Sequence, residues 1–195
     1  MILAAGASRR MGRPKALLPV PGTGEPFLER IVRTARTAGV QALVTVVAPP
    51  HGAAIREALP ALVLAWNPEP ERGMLSSVWC GLAALPPGLA GVLLWPVDVP
   101  LVQPTTVQRL LGEHRGQITI PTYGSQGGHP IWIPADLIPA VYALPLQEGL
   151  RGLRLRHPER ILRLPVLDAA VVVDVDTPDD LAALPVQPNP EWKKL

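Results

Sequence analysis

Lys15 is the only lysine outside the last three residues of a chain that otherwise takes its positive charge from arginine. It closes the segment Leu3-Ala4-Ala5-Gly6-Ala7-Ser8-Arg9-Arg10-Met11-Gly12-Arg13-Pro14-Lys15, which leaves an apolar run and enters a loop with two glycines and three arginines. Glycine lets the backbone take positive φ and approach an anion closely, so successive N–H groups can cradle phosphate oxygens while the cations balance the charge. The place of this loop, directly after a first strand, favours that chemistry over a solvated surface turn. It is not a Walker A loop, because five residues separate Gly6 from Gly12 and Lys15 comes three later. Nor is it G-x-G-x-x-G, and the second strand ends in Val47-Ala48-Pro49 without an acid to hold a ribose, which disfavours a dinucleotide dehydrogenase.

Two further segments carry carboxylates. Asp98 follows the apolar run Val92-Leu93-Leu94-Trp95 in a turn bracketed by Pro96 and Pro100. Ligands of open α/β sheets bind outside the carboxyl ends of strands, and a carboxylate there suits a hard cation such as Mg²⁺, which completes its shell with phosphate oxygens and water. In Val171-Val172-Val173-Asp174-Val175-Asp176-Thr177-Pro178-Asp179-Asp180, alternation puts Asp174 and Asp176 on one face and Val173 and Val175 on the other. Asp176 is the candidate second metal ligand. Thr177 reads as an N-cap, Pro178 as the first helical residue, and Asp179 and Asp180 as charges at the positive helix end.

Weaker signals complete the set. Asn67 and the run Gly73-Met74-Leu75-Ser76-Ser77 open a helix whose free N–H groups can meet a base, ribose or phosphate; capping by Ser76 or Ser77 is the plainer role. Gly128 and His129 begin a strand, and His129 either touches a ligand or only packs. Cys80 reads as helix packing, Trp132 as core, and Arg151, Arg154, Arg156, Arg160 and Arg163 as a solvated basic face of which an anionic substrate could use one or two.

These residues need a scaffold of alternating strands and helices. Strand-length runs fall at 1–5, 42–48, 62–66, 91–95, 118–121, 130–133, 161–164 and 171–175, and they alternate with helix-period stretches, the pattern of an α/β domain with a mostly parallel sheet. Phe27, Leu28, Ile31, Val32 and Ala35 form one helix face closed by Gly39. Met74, Leu75, Val78, Leu82 and Leu85 form a second, largely buried helix, and Val107, Leu110 and Leu111 a third with Pro104 in its first turn. Residues 122–128 form a β-hairpin excursion. With 195 residues, 48% of them hydrophobic, the chain suits one domain over 1–184, while the proline-rich 185–195 reads as a loosely held tail. A net charge of +2 argues against a nucleic-acid or membrane-surface protein, and one cysteine with no signal segment points to the cytoplasm.

Taken in order, the L-A-A-G-x-S-x-R-M-G-x-x-K loop, Asp98-Val99-Pro100, Gly-Gly-His-Pro and Asp-Val-Asp-Thr-Pro-Asp-Asp-Leu resemble the MobA-like nucleotidyltransferases, and within them the molybdopterin cytidylyltransferases. The resemblance runs from Leu3 to about Leu184. It implies a Rossmann-like nucleotidyltransferase domain, three layers α/β/α, that moves CMP from CTP to the phosphate of molybdopterin and releases pyrophosphate. Sugar 1-phosphates, isoprenoid phosphate precursors, or a non-catalytic role beside a molybdoenzyme or chaperone are the alternatives. In the family pattern Arg10 holds the β- and γ-phosphates and Lys15 the α-phosphate, while Asp98 and Asp176 hold Mg²⁺. Leu3, Ala4, Ala5, Gly6, Asn67, Gly73 and Ser76 are the further nucleotide contacts, and Gly128 and His129 lie on the acceptor side. The cytidylyl branch is suggested by Ala-Ala-Gly at positions 4 to 6. The family's Gly-Asp-x-Gly-x-Arg run departs here, with Leu150 where a carboxylate is common.

Overall fold

The computed structural model describes residues 1–186; the rest of the expected tail lies outside the described residues. In chain order the elements are β1 (Ile2–Leu3), α1 (Phe27–Thr37), β2 (Thr45–Val47), α2 (Gly52–Ala58), β3 (Leu64–Trp66), α3 (Met74–Ala84), β4 (Gly91–Pro96), α4 (Pro104–Glu113), β5 (Ile118–Tyr123), β6 (Gln126–Gly127), β7 (Ile131–Pro134), α5 (Ile138–Tyr142), α6 (Arg151–Arg156), β8 (Ile161–Pro165) and α7 (Pro178–Ala183). Strands β3, β2, β1 and β4 lie side by side and parallel. Antiparallel β7 follows β4, then β5, whose other neighbours are its hairpin partner β6 and the parallel β8.

The chain leaves β1 toward β2 and β3 on one side, then crosses to β4 on the other. The crevice where strand order reverses therefore opens between the carboxyl ends of β1 and β4, where the phosphate-type loop and Asp98 emerge. Alternation along β1 splits the apolar residues between two faces. Ile2 and Ala4 join Leu28, Ile31, Val107 and Leu110 of α1 and α4. Met1, Leu3 and Ala5 join Leu75 and Val78 of α3, Val141 of α5 and Leu153 of α6. The sheet is thus covered on both faces, the mostly parallel Rossmann-like α/β architecture expected. A third cluster packs Met11, Leu18 and Phe27 against Val175 and Leu184, tying the loop after β1 to the C-terminal segment.

Two expectations need correction. Residues 171–175 are not a strand: Asp168 caps a 3-10 turn over Ala169–Val172 by accepting from the Ala170 amide, and this turns the chain away from ladder pairing. The second helix is also less buried at its start than its apolar run implied, since Met74 is exposed and borders a cavity. Strand β1 is shorter than the run 1–5, although the Ala4 amide still reaches the Val46 carbonyl. Helices α2, α5 and α6, at seven, five and six residues, are too short to display a period in the sequence.

Candidate active site

The loop after β1 borders a cavity of about 430 Å³ at the switch point of the sheet. None of the amides from Ala5 to Arg10 donates to an acceptor among the described residues. Its far end is held instead: the Met11 and Gly12 amides reach the Ser8 carbonyl at 3.0 and 3.1 Å, and the Lys15 amide reaches the Ser8 hydroxyl at 3.2 Å. Gly12 sits at φ 66°, a left-handed turn that costs glycine little, and lets the chain double back toward Lys15. The result is a run of unpaired amides beside two cations, an arrangement suited to several phosphate oxygens.

Lys15 Nζ lies between two carboxylates. It donates to Asp98 Oδ2 at 3.4 Å and to Asp176 Oδ1, while Arg10 Nη2 donates to Asp176 Oδ2 at 2.6 Å. Its side chain is only 13% exposed, whereas Arg10 is 67% exposed, so the lysine is the sheltered charge and the arginine the open one. The Lys15 hydrogen bond, with Arg10 adding to it, holds the Asp176 carboxyl below the usual aspartate range. Asp174, on the same side of the chain, is pushed up by burial and then by the negative charges of Asp98 and Asp176.

Backbone contacts fix the two acids against each other. The Val175 amide donates to the Asp98 carbonyl at 2.8 Å, with Val175 fully buried. Thr177 caps α7, as the sequence indicated; Asp180 completes a reciprocal capping box with it, and Asp180 Oδ2 also accepts from the Asp176 amide at 2.9 Å. The expected alternation does not carry through: Val171 and Val172 lie in the 3-10 turn, and Val173 is exposed while Val175 is fully buried, so it is the Val175–Asp98 bond and the capping box that hold Asp176 in place.

The sequence of residues 1–161 matches the family model of the MobA-like NTP transferase domain. The chain belongs to this family. It is 34% identical over 159 residues to the bifunctional protein GlmU of Kineococcus radiotolerans, an alignment covering 76% of this chain and 29% of that protein. The match therefore spans under a third of the length of such curated relatives. Among solved structures it is similar to Rv0371c of Mycobacterium tuberculosis, at 29% identity and TM-score 0.79 over 94% of this chain and 95% of that one. The manganese complex of Rv0371c superposes with TM-score 0.75 at 28% identity, covering 94% and 95%. The molybdopterin-guanine dinucleotide biosynthesis protein A of Archaeoglobus fulgidus shares the fold, at 19% identity and TM-score 0.65 over 93% of each chain.

In this MobA-like domain most of the anticipated residues converge. Leu3, Ala4, Ala5, Gly6, Arg10, Lys15, Gly73, Asp98 and Asp176 all border the cavity. Asn67 and Ser76 do not: the buried Asn67 Nδ2 donates to the hydroxyls of Ser76 and Ser77 at 2.9 Å each, and Ser76 donates to the Gly73 carbonyl at 2.8 Å. Neither serine caps α3; Gly73, at φ 93°, stands at the N-cap, and Ser77 rather than Ser76 reaches the cavity. Gly128 and His129 lie outside the cavity lining. A side chain at Gly128 would meet the Val171 carbonyl at 2.1 Å, so glycine is what lets the chain pass there. Cys80 is half-buried against the α3 face of the sheet and Trp132 is core, both as anticipated.

His51 also borders the cavity and had no motif to mark it. Its Nε2 donates to the Ala7 carbonyl at 3.0 Å, bracing the loop from the β2–α2 connection. The available signal was topological: His51 follows the end of a strand adjacent to β1, and parallel neighbours deliver their following loops to the same edge. Among the described residues no three His, Cys, Asp or Glu side chains form a ready metal cage. Asp98 and Asp176 nevertheless share one positive charge and offer oxygen donors only, which fits a hard cation that takes one or two carboxylates and fills its shell from phosphate and water.

Proposed function

We propose that this protein transfers CMP from CTP to the phosphate of molybdopterin, with Mg²⁺, and releases pyrophosphate. The observation that carries the reading is the Lys15 ammonium set between Asp98 and Asp176 in a cavity that is also bordered by a loop whose amides have no acceptor among the described residues. An oxygen of the acceptor phosphate attacks the α-phosphorus, one P–O bond forms, and the bond to the bridging α–β oxygen breaks as pyrophosphate leaves. Such a displacement concentrates negative charge and needs no covalent enzyme intermediate, so positioning and fixed positive charge do most of the work.

Lys15 serves the α-phosphate, where charge builds as the new bond forms. Arg10, exposed at the cavity rim, reaches the leaving β- and γ-phosphates. The amides from Gly6 to Arg10 orient the triphosphate. Asp98 and Asp176 would hold Mg²⁺, which supplies Lewis-acid stabilisation of the phosphate oxygens. The manganese bound in the Rv0371c structure supports a divalent cation in this family. Gly128 and His129 would lie toward the acceptor. The choice of CTP and molybdopterin rests on the Ala4-Ala5-Gly6 pattern and the ordered motifs, and the product would pass to a molybdoenzyme or its chaperone in the cytoplasm.

A matrix of the four NTPs against molybdopterin, sugar 1-phosphates and isoprenoid phosphate precursors, read by Mg²⁺-dependent pyrophosphate release, tests this. Selective release with CTP and molybdopterin is expected. Release with another pair moves the substrate assignment, and silence across the matrix overturns the catalytic reading.

A further inference from the structure

The five arginines from Arg151 to Arg163 fall into two groups. Arg156 is bonded to Glu148 at 2.8 Å, and Arg160 to Asp136 at 2.7 Å and to the Gly116 carbonyl at 2.9 Å. Arg151, Arg154 and Arg163 have no hydrogen-bond or acidic partner among the described residues, yet all three border one open cavity of about 440 Å³. Sequence spacing explains the convergence. Arg151, Arg154 and Leu155 follow i, i+3, i+4 and share a face of α6. Ile161 and Arg163 alternate onto one face of β8, where Arg163 stands in register with Ile120 of β5.

Among the described residues no acid borders this cavity; the rest of its wall is Ile120, Leu155, Pro158 and Ile161. Three guanidiniums around one space without a counter-charge repel each other, and a bound anion relieves that repulsion. Their planar forks match phosphate or carboxylate oxygens in pairs. The apolar wall suits a ligand whose anionic group sits on a hydrophobic body.

One segment of chain runs past this cavity toward Asp98. Arg163 Nη1 lies 3.8 Å from where a side chain at Gly127 would begin, and the chain runs on through Gly128 to His129. His129 Nδ1 is buried without a hydrogen-bond partner, and the ring is within electrostatic reach of both Asp98 and Arg154.

We propose that the cavity of Arg151, Arg154 and Arg163 is a second anion subsite, holding a negatively charged group of the acceptor remote from its reacting phosphate. This rests on the nucleotidyl-transfer reading and adds that the acceptor carries anionic groups separated by an apolar body. The first test needs no turnover: inorganic pyrophosphate is titrated calorimetrically into the full chain carrying R10A and K15A, which disables the nucleotide loop. Binding is expected, and adding R151A and R163A should weaken it at least about tenfold, the effect of losing charge-assisted hydrogen bonds. The second uses whichever NTP and acceptor release pyrophosphate: R151A and R163A should raise the acceptor KM about tenfold or more while the NTP KM stays put. Pyrophosphate binding that ignores these arginines, or an acceptor KM that does not move, overturns the subsite and leaves the transfer reading standing. A chain inactive with every pair overturns the transfer reading and the acceptor's place in the cavity together, and the titration then decides whether the cavity takes anions at all.

Discussion

An ammonium and a guanidinium carry the same charge, but only the ammonium is compact enough to sit between Asp98 and Asp176 and still turn toward a phosphate. Lys15→Arg should therefore fail to rescue: both it and Lys15→Ala should lower pyrophosphate release roughly 100-fold or more, the scale for removing a fixed donor from a developing charge. Circular dichroism checks that each variant still folds. His129 gives a pH prediction. Burial is the main cause that lowers its pKa, outweighing the attraction of Asp98. The folded protein thus binds this proton less tightly than the unfolded chain does. Stability should be unaffected by this group well above pH about 6.5 and should fall as pH drops below it, until the folded imidazole itself charges. Urea midpoints at pH 7.5 and 5.0 test this: the loss on acidification should be smaller in His129→Gln than in the parent.

The loop after β1 is an element defined by its supports. Ser8 holds it from within, the Met11 cluster packs its far end, and His51 is the brace printed onto its apex from another connection. Removing one neutral hydrogen bond of this kind costs about 0.5–1.5 kcal/mol, so His51→Ala should raise the NTP KM about three- to tenfold with a smaller change in kcat. His51→Gln, whose amide can donate to the Ala7 carbonyl, should recover part of the loss. A uniform fall in kcat with no KM change would show that the brace does not position the triphosphate. The two ends of this element differ in how well the sequence announces them. The glycines and the lone lysine mark the loop by chemistry, whereas His51 enters only through the strand order, which spacing along the chain does not encode. Asp176 is the intermediate case: the segment was expected to be a strand, yet the carboxylate borders the cavity because the Val175 amide bonds the Asp98 carbonyl and the capping box anchors the chain just beyond it, contacts that alternation along the sequence does not encode.

At the scale of the whole molecule, the parallel half of the sheet followed from its apolar runs, and so did the hairpin excursion. Helices α2, α5 and α6 did not, since a helix of one or two turns takes its stability from packing against the sheet rather than from a visible period. The cavity beside Arg163 was hidden for a related reason: its walls come from α6, β5 and β8, and only the pairing of β5 with β8 brings them together.

The ion-paired triad has a thermodynamic corollary. Lys15 is 83 residues from Asp98 and 161 from Asp176 in the chain, so the unfolded state contains no version of this site. Ligands therefore act on the folding equilibrium itself, and one present at 100 times its Kd should add about 2.7 kcal/mol. Lys15 also occupies the carboxylates as a resident counter-ion, which a divalent cation alone must compete with, while a nucleotide gives the ammonium somewhere else to go. Thermal shifts should accordingly be synergistic, with Mg²⁺ alone nearly silent and Mg²⁺ with CTP exceeding the sum of the two. In Lys15→Met the cation alone should become visible. Strict additivity in the parent would mean that the lysine does not gate the metal, and that assembly of the substrate complex has no preferred order.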